Sequence, residues 1–180
     1  MSAVIERTNR LLSFPLKPAP RGLLVAAALL LASTYFLPVW KVVTFEPGES
    51  RQGTYSYELL REEALPVDGG PIDVAGPRDV PVDFAELRWV PFAVGVLGLL
   101  FLRAAMMGTM AMLVDVFVVF TYFALFSFWS FGSRFSGYGQ SYPGPGAFLL
   151  AAVVAVLGGA LFLAWRYGRS ELANETRMAG

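Results

Sequence analysis

Residues 89–132 form a 44-residue apolar stretch in which Arg103 and Asp115 are the only charged side chains. A helix rises 1.5 Å per residue, so one membrane crossing needs about 20 residues. The stretch is therefore long enough for two crossings joined by a tight turn. We predict transmembrane helices at residues 89–107 and 109–131, and this hairpin places the chain among integral membrane proteins.

Two further apolar stretches predict transmembrane helices at residues 22–40 and 147–167. Only 16% of the residues are charged, compared with about 25% in soluble domains. The predicted fold class is an all-α membrane protein, a bundle of four transmembrane helices. We expect the first helix to be retained, because no small-residue cleavage site follows it.

The flanking charges predict the orientation in the membrane. Residues 1–21 carry four basic side chains and one acidic side chain. The fourth predicted helix ends at a second basic flank, where Arg166 precedes the tail at residues 168–180, which carries two basic and two acidic side chains. The loop at residues 41–88 instead carries ten acidic and five basic residues. Because cytoplasmic loops are enriched in Lys and Arg, we expect both termini in the cytoplasm of a bacterium, with the protein in its inner membrane.

The chain contains no cysteine and no histidine. Thiolate and imidazole ligands to metals, and Ser-His or Cys-His nucleophiles, are therefore excluded. We predict no cofactor, no metal site and no enzymatic activity for this chain. Nothing in the sequence indicates nucleic-acid binding.

Arg103 and Asp115 lie six residues before and six residues after Thr109 in the predicted turn. At 1.5 Å per residue, both are roughly 9 Å from the turn and at the same depth. A lone charge in the membrane is costly, and pairing lowers that cost. The leading interpretation is a structural ion pair. A proton or ion relay, or Arg103 reaching the interface alone, are the alternatives.

Methionines cluster around this turn, at positions 106, 107, 110 and 112. Thioethers are soft ligands that suit Cu(I), which makes a copper relay one interpretation. The other is that methionine fills gaps where helices pack imperfectly.

The third predicted helix is rich in aromatic residues. Rings around its circumference predict a contact surface for lipid, for quinone or pigment tails, or for another subunit. The candidate contact residues are Phe117, Phe120, Phe123, Phe126 and Trp129.

Small residues and tryptophans mark further contacts. Ala151, Ala155 and Gly159 are spaced four residues apart, which permits close helix packing within the chain or with a partner. Tryptophans near predicted span ends are typical of the interfacial belt. The predicted belt residues are Trp40, Trp89, Trp129 and Trp165.

Two segments are predicted on the outer side. Within residues 41–88, "KVVTF" and "TYSYELL" have strand-like composition. Residues 132–146, rich in Gly, Ser, Tyr and Pro, predict a loop. The amino-terminal "RTNRLLSFPLKP" is predicted to lie on the cytoplasmic membrane surface.

Three segments, "YFLPVWKV", "ELRWVPFAVGVLGLL" and "FSFWSFGSRFSGYG", resemble a group of uncharacterised bacterial four-helix membrane proteins. These proteins are found beside copper-handling and nitrous-oxide-respiration proteins. The resemblance implies the fold. The group's Asn-His segment has no counterpart here, so no copper-binding residue is implied for this chain.

The leading functional hypothesis is a non-catalytic accessory subunit of a larger respiratory or photosynthetic electron-transfer complex. Its expected partners are other membrane-protein subunits and lipids, with quinone or pigment tails as possible ligands. One alternative is an assembly or metal-delivery factor for a metalloenzyme. A second is a small transporter that uses Arg103 and Asp115.

Overall fold

A computed structural model of the chain describes residues 2–46, 49–56, 65–66, 89–135 and 140–178. Within these residues the helices are α1 (Ser2–Leu12), α2 (Pro18–Ser33), α3 (Trp89–Met107), α4 (Met110–Phe135) and α5 (Pro145–Met178). The strands are β1 (Pro38–Glu46), β2 (Glu49–Ser56), β3 (Leu65–Pro66) and β4 (Gln140–Pro143). They form one antiparallel sheet in the order β3-β2-β1-β4.

Four helical segments of the described chain are long and apolar enough to cross a membrane: Pro18–Phe36, Val90–Met107, Met110–Ser130 and Pro145–Asn174. The prediction of a membrane protein with four apolar helices is thereby confirmed, and the protein is a multi-pass membrane protein. Pro18 and Pro145 open α2 and α5. Proline suits this first position because its missing N–H would have no partner inside the helix.

The first spanning helix ends earlier than the predicted residue 40. A 3-10 turn at Thr34–Phe36 follows α2, and the backbone of Leu37 is extended, with φ −125° and ψ 141°. A residue that precedes proline is disfavoured in the helical region. Pro38 therefore ends the helical run, and Trp40 belongs to β1 rather than to a helix.

Helix α3 spans the same residues as the predicted helix, 89–107, and the remaining boundaries differ. The predicted loop at residues 132–146 contains the end of α4, all of β4 and the start of α5. Helix α5 continues to Met178, well beyond the predicted residue 167. Strand β1 includes "KVVTF", and β2 includes only the first three residues of "TYSYELL", whose other four lie outside the described residues.

The chain divides into two compact units, and each of α2 to α5 contributes residues to both. The first, here called the terminal unit, comprises Met1–Leu30, Val96–Tyr122 and Ala152–Gly180. The second, here called the sheet unit, comprises Leu31–Gly95 and Phe123–Ala151.

The terminal unit has an apolar core between α2, α3, α4 and α5. Phe101 of α3 and Phe120 of α4 are fully buried, and their rings meet edge to face with centroids 5.3 Å apart. This geometry is favourable for aromatic pairs. Other side chains with no more than 1% exposure complete the core: Leu24, Ala27, Ala104, Leu113, Val153, Leu157 and Ala160.

Two contacts attach the amino-terminal segment to α5 in the terminal unit. Leu11 of α1 lies directly over Gly168, where a Cβ atom would come within 2.7 Å of its Cδ1. The ammonium of Lys17 lies 2.7 Å from the Glu171 carboxylate, and both side chains are partly exposed. The glycine permits close approach of α1, and the ion pair adds a modest contribution because it is solvated.

In the sheet unit, β1 pairs with both of its neighbouring strands. Eight residues of β1 pair with β2, and Trp40 to Val43 pair with Pro143 to Gln140 of β4. The indole of Trp40 is buried and packs edge to face on Phe128, with centroids 6.1 Å apart. Because Phe128 belongs to α4, this contact places α4 and the start of β1 in one core. Gly144 follows β4 and donates its backbone N–H to the Val39 carbonyl.

Tyr35 provides a polar contact in the sheet unit. Its hydroxyl donates a hydrogen bond to the backbone carbonyl of Pro91, in the first turn of α3. The bond joins the end of the first spanning segment to the beginning of the second.

Replacing Tyr35 by Phe should lower the free energy of unfolding by about 1 kcal/mol, because the Pro91 carbonyl loses a partner. The measurement is thermal or denaturant unfolding of the purified protein in detergent. Tyr122→Phe is the matched control, since the Tyr122 side chain is 73% exposed. Equal stability of Y35F and Y122F would contradict the assigned role.

Candidate functional site

The turn between α3 and α4 positions both charges of the apolar stretch. Helix α3 ends at Met107, and the Gly108 N–H donates to the Ala104 carbonyl at 2.9 Å. A Cβ atom at Gly108 would overlap that same carbonyl oxygen, so only glycine fits. Thr109 precedes α4 in the N-cap position, and its hydroxyl oxygen lies 3.5 Å from the backbone nitrogen of Met112.

The segment before α2 is hydrogen-bonded to this turn. The Leu16 N–H donates to the Gly108 carbonyl at 3.2 Å, and the Met110 N–H donates to the Phe14 carbonyl at 2.9 Å. Pro15 and Thr109 thereby form an isolated antiparallel bridge. The bridge ties the turn to the start of α2. Arg103 and Asp115 are each six residues from Thr109. They therefore lie at the same distance, measured along their helices, from a turn that the bridge holds in place.

Arg103 and Asp115 are both exposed on the surface of the terminal unit. The ion pairs among the described residues are Glu6–Arg10 and Lys17–Glu171. The structure thus does not bring Arg103 and Asp115 into the predicted intrachain ion pair. Helices α3 and α4 contact each other through Phe101 and Phe120. Arg103 is two residues beyond Phe101 and so lies about 200° around α3, on the opposite face.

Several exposed apolar residues lie one helical turn from each charge, and Tyr122 lies two turns beyond Asp115. Together with Arg103 and Asp115 they form what is here called the charged surface. Its apolar members are Leu99, Met106 and Met107 on α3 and Val118, Val119 and Tyr122 on α4. Each helix thus presents one charge among apolar side chains, on the side turned away from the core of the terminal unit.

The methionines around the turn are divided between core and surface. Met110 is 6% exposed and lines a crevice with Phe14, Leu16 and Tyr167 that is too narrow to hold a water molecule. Met106 and Met107 are instead strongly exposed. Gap filling describes Met110, and the four thioethers do not form one common surface.

The predicted aromatic contact surface is divided in the same way. Phe120 is buried in the terminal unit and Phe123 in the sheet unit, so neither belongs to an outward surface. Phe126 and Trp129 are exposed in the sheet unit, with ring centroids 6.2 Å apart. Phe117 is partly exposed. Helical periodicity explains the division, because each step of three residues falls about 60° short of a full turn. Five rings spaced three residues apart therefore move gradually around α4 and do not share one face.

The small-residue stripe on α5 lies beside the buried face rather than on it. Ala151 and Ala155 are exposed. At Gly159, a Cβ atom would come within 3.9 Å of Leu23 on α2. The buried face of α5 instead consists of Leu150, Val153, Leu157, Ala160 and Ala164. Close packing of Ala151 and Ala155 against a helix of a partner chain stays a prediction.

Two of the predicted belt tryptophans have exposed side chains. Trp129 is exposed in the sheet unit, and Trp165 is exposed in the terminal unit, where the guanidinium of Arg169 lies 4.8 Å from its ring centroid. Trp40 is buried against Phe128 and is therefore a core residue, not a belt residue. The side chain of Trp89 lies outside the described residues.

The bridge at Phe14–Leu16 and the bond from Tyr35 to Pro91 were not predicted from the sequence. Both join segments distant in the chain, and the backbone groups of the bridge carry no residue signature. A weak signal existed for the turn alone, since Gly-Thr between two apolar runs is typical of a chain reversal.

Comparisons of the chain with known protein families, with curated proteins and with solved structures find no match. The resemblance to proteins found beside copper-handling and nitrous-oxide-respiration proteins stays a prediction.

Met110→Ala should lower the free energy of unfolding by about 2–4 kcal/mol, because it opens a cavity beside Phe14 and Tyr167. Met107→Ala, at a position that is 79% exposed, should change stability little. Unfolding of both variants in the same detergent measures the difference. A Met107→Ala variant as unstable as Met110→Ala would show that the methionines act together.

Proposed function

We propose that the protein is a non-catalytic accessory subunit of a larger membrane assembly. The observation that carries this proposal is the outward position of Arg103 and Asp115 within helices of membrane length. A charge facing lipid at the centre of a span costs about 2.5–3.5 kcal/mol by insertion scales, and less near the end of a helix. A partner that pairs with these charges removes much of that cost.

Other outward side chains support an assembly role. Phe126 and Trp129 offer flat apolar surface suited to lipid, quinone or pigment tails, and Ala151 and Ala155 permit close approach of a helix from another chain. The chain has no cysteine or histidine. In a respiratory or photosynthetic electron-transfer complex, partner chains would therefore supply the thiolate and imidazole ligands of redox centres.

The proposed orientation has both termini in the cytoplasm of a bacterium, with the protein in the inner membrane. Two pairings support an alternating path of the four spans. The connection after α2 supplies β1, which pairs with β4 from the connection after α4, so these two connections lie on one side. The segment before α2 pairs with the turn after α3. The basic flanks of the termini favour the cytoplasm for that side.

In this orientation the sheet is an outer docking region. Strands β1, β2 and β4 present antiparallel backbone between two membrane crossings. The acidic character of residues 41–88, with ten acidic and five basic side chains, suits a basic partner surface.

Cysteine labelling tests the orientation, because the natural chain has no cysteine that would react. Pro143→Cys should be labelled by a membrane-impermeant maleimide in intact cells, after permeabilisation of the outer membrane only. Arg177→Cys should be labelled only after lysis. Both positions are exposed. The reverse labelling pattern would overturn the orientation, and labelling of both in intact cells would overturn the even number of crossings.

Partner chains should be retained on affinity purification of the tagged protein from native membranes in a mild detergent. Arg103→Ala and Asp115→Ala should each lower that retention severalfold, because an oppositely charged partner group loses its counter-ion. Arg177→Ala, an exposed substitution outside the candidate spans, is the control. Migration of the natural protein as a free monomer with no other chain attached would refute the proposed function.

A further inference from the structure

We propose that the charged surface is the docking site for a second copy of this chain, with Arg103 of each copy paired to Asp115 of the other. The inference rests on the proposed function, since it takes this surface as an assembly surface and names its occupant. The two residues are exposed charges of opposite sign that form no ion pair within the described chain.

The composition of the surface favours a second copy over a different chain. A two-fold symmetric interface is self-complementary, so that residue i of one copy contacts residue j of the other and residue j contacts residue i. One arginine and one aspartate per copy meet that requirement without any further group. A different partner would need an acidic and a basic residue of its own, in the matching positions.

Depth provides a second argument. Copies inserted with the same orientation are related by a two-fold axis along the membrane normal, and this rotation leaves the depth of every residue unchanged. Reciprocal pairing therefore requires Arg103 and Asp115 to lie at one depth within a single copy. Each is six residues from Thr109, roughly 9 Å along its helix. The bridge between Pro15 and Thr109 ties the turn to the start of α2.

The apolar members of the charged surface suit the rest of such an interface. Leu99 and Met106 flank Arg103 at one helical turn on either side, and Val119 and Tyr122 follow Asp115 along α4. These exposed side chains supply dispersion contacts, which drive helix association in a membrane. Methionine adapts to irregular gaps at such contacts.

Charge reversal in two differently tagged copies tests the pairing between chains. Natural copies should co-purify. R103D alone and D115R alone should lose at least tenfold in co-purification, because each variant chain carries two like charges. Co-expression of R103D with D115R should restore co-purification, because the copy with two arginines then faces the copy with two aspartates. R166D, an exposed charge change on α5, should leave co-purification unchanged.

Disulfide cross-linking tests the register with both charges intact, so that misfolding of a charge variant does not decide the result. If α3 of one copy runs antiparallel to α4 of the other with Arg103 opposite Asp115, Leu99 lies opposite Val119. A Leu99→Cys copy and a Val119→Cys copy with different tags should form a mixed-tag dimer on oxidation in membranes. Leu99→Cys with Phe148→Cys, both at exposed positions, should not.

The outcomes separate this inference from the proposed function. Rescue by R103D/D115R within one chain, but not by mixing the two single variants, would overturn the inference in favour of an intrachain pair. Absence of both tag co-purification and the Leu99–Val119 cross-link would also overturn it, while other chains retained through Arg103 would leave the proposed function standing. Copies that associate with no other chain present would uphold the inference and refute the accessory role.

Discussion

Two backbone hydrogen bonds between Phe14–Leu16 and Gly108–Met110 determine the geometry on which the candidate site depends. A turn between two membrane helices leaves backbone groups that need partners, since groups unpaired away from water are costly. The segment before α2 supplies partners for the Gly108 carbonyl and the Met110 N–H. The same bonds hold the starts of α2 and α4 and the end of α3 together. The position of each charged residue then follows from its distance to the turn.

The core of the terminal unit determines which way those charges point. Phe101 and Phe120 are fully buried and meet edge to face, so α3 and α4 are oriented by their bulkiest side chains. Arg103, on the opposite face of α3, is then directed outward, and Asp115 is also exposed. In a soluble protein two exposed charges require no explanation. Within helices of membrane length two exposed charges are costly, and this cost is the basis of the proposed assembly role.

Much of the architecture could be predicted from hydrophobicity alone. The number of spanning helices and the hairpin at Gly108 followed from the lengths of apolar runs, because a membrane crossing imposes a minimum length. The ends of helices were harder. Pro38 ended the first span before Trp40, and α5 extended to Met178 through residues that a hydropathy window does not favour. The local backbone preference before proline decided the first of these ends, and α5 packs against Leu11 of α1 at Gly168, one residue past its predicted end.

The sequence by itself determined that the chain crosses a membrane through four apolar helices and that Arg103 and Asp115 lie at matched distances from the turn. These properties depend on the length and order of residues along one chain. Only the tertiary structure decided that the two charges face outward without pairing, that Trp40 and Phe120 are core residues, and that β1 pairs with β4. Those properties depend on how each helix is rotated about its axis and on which distant segments meet. The packing of whole side-chain faces determines both, and the pattern within a single segment does not.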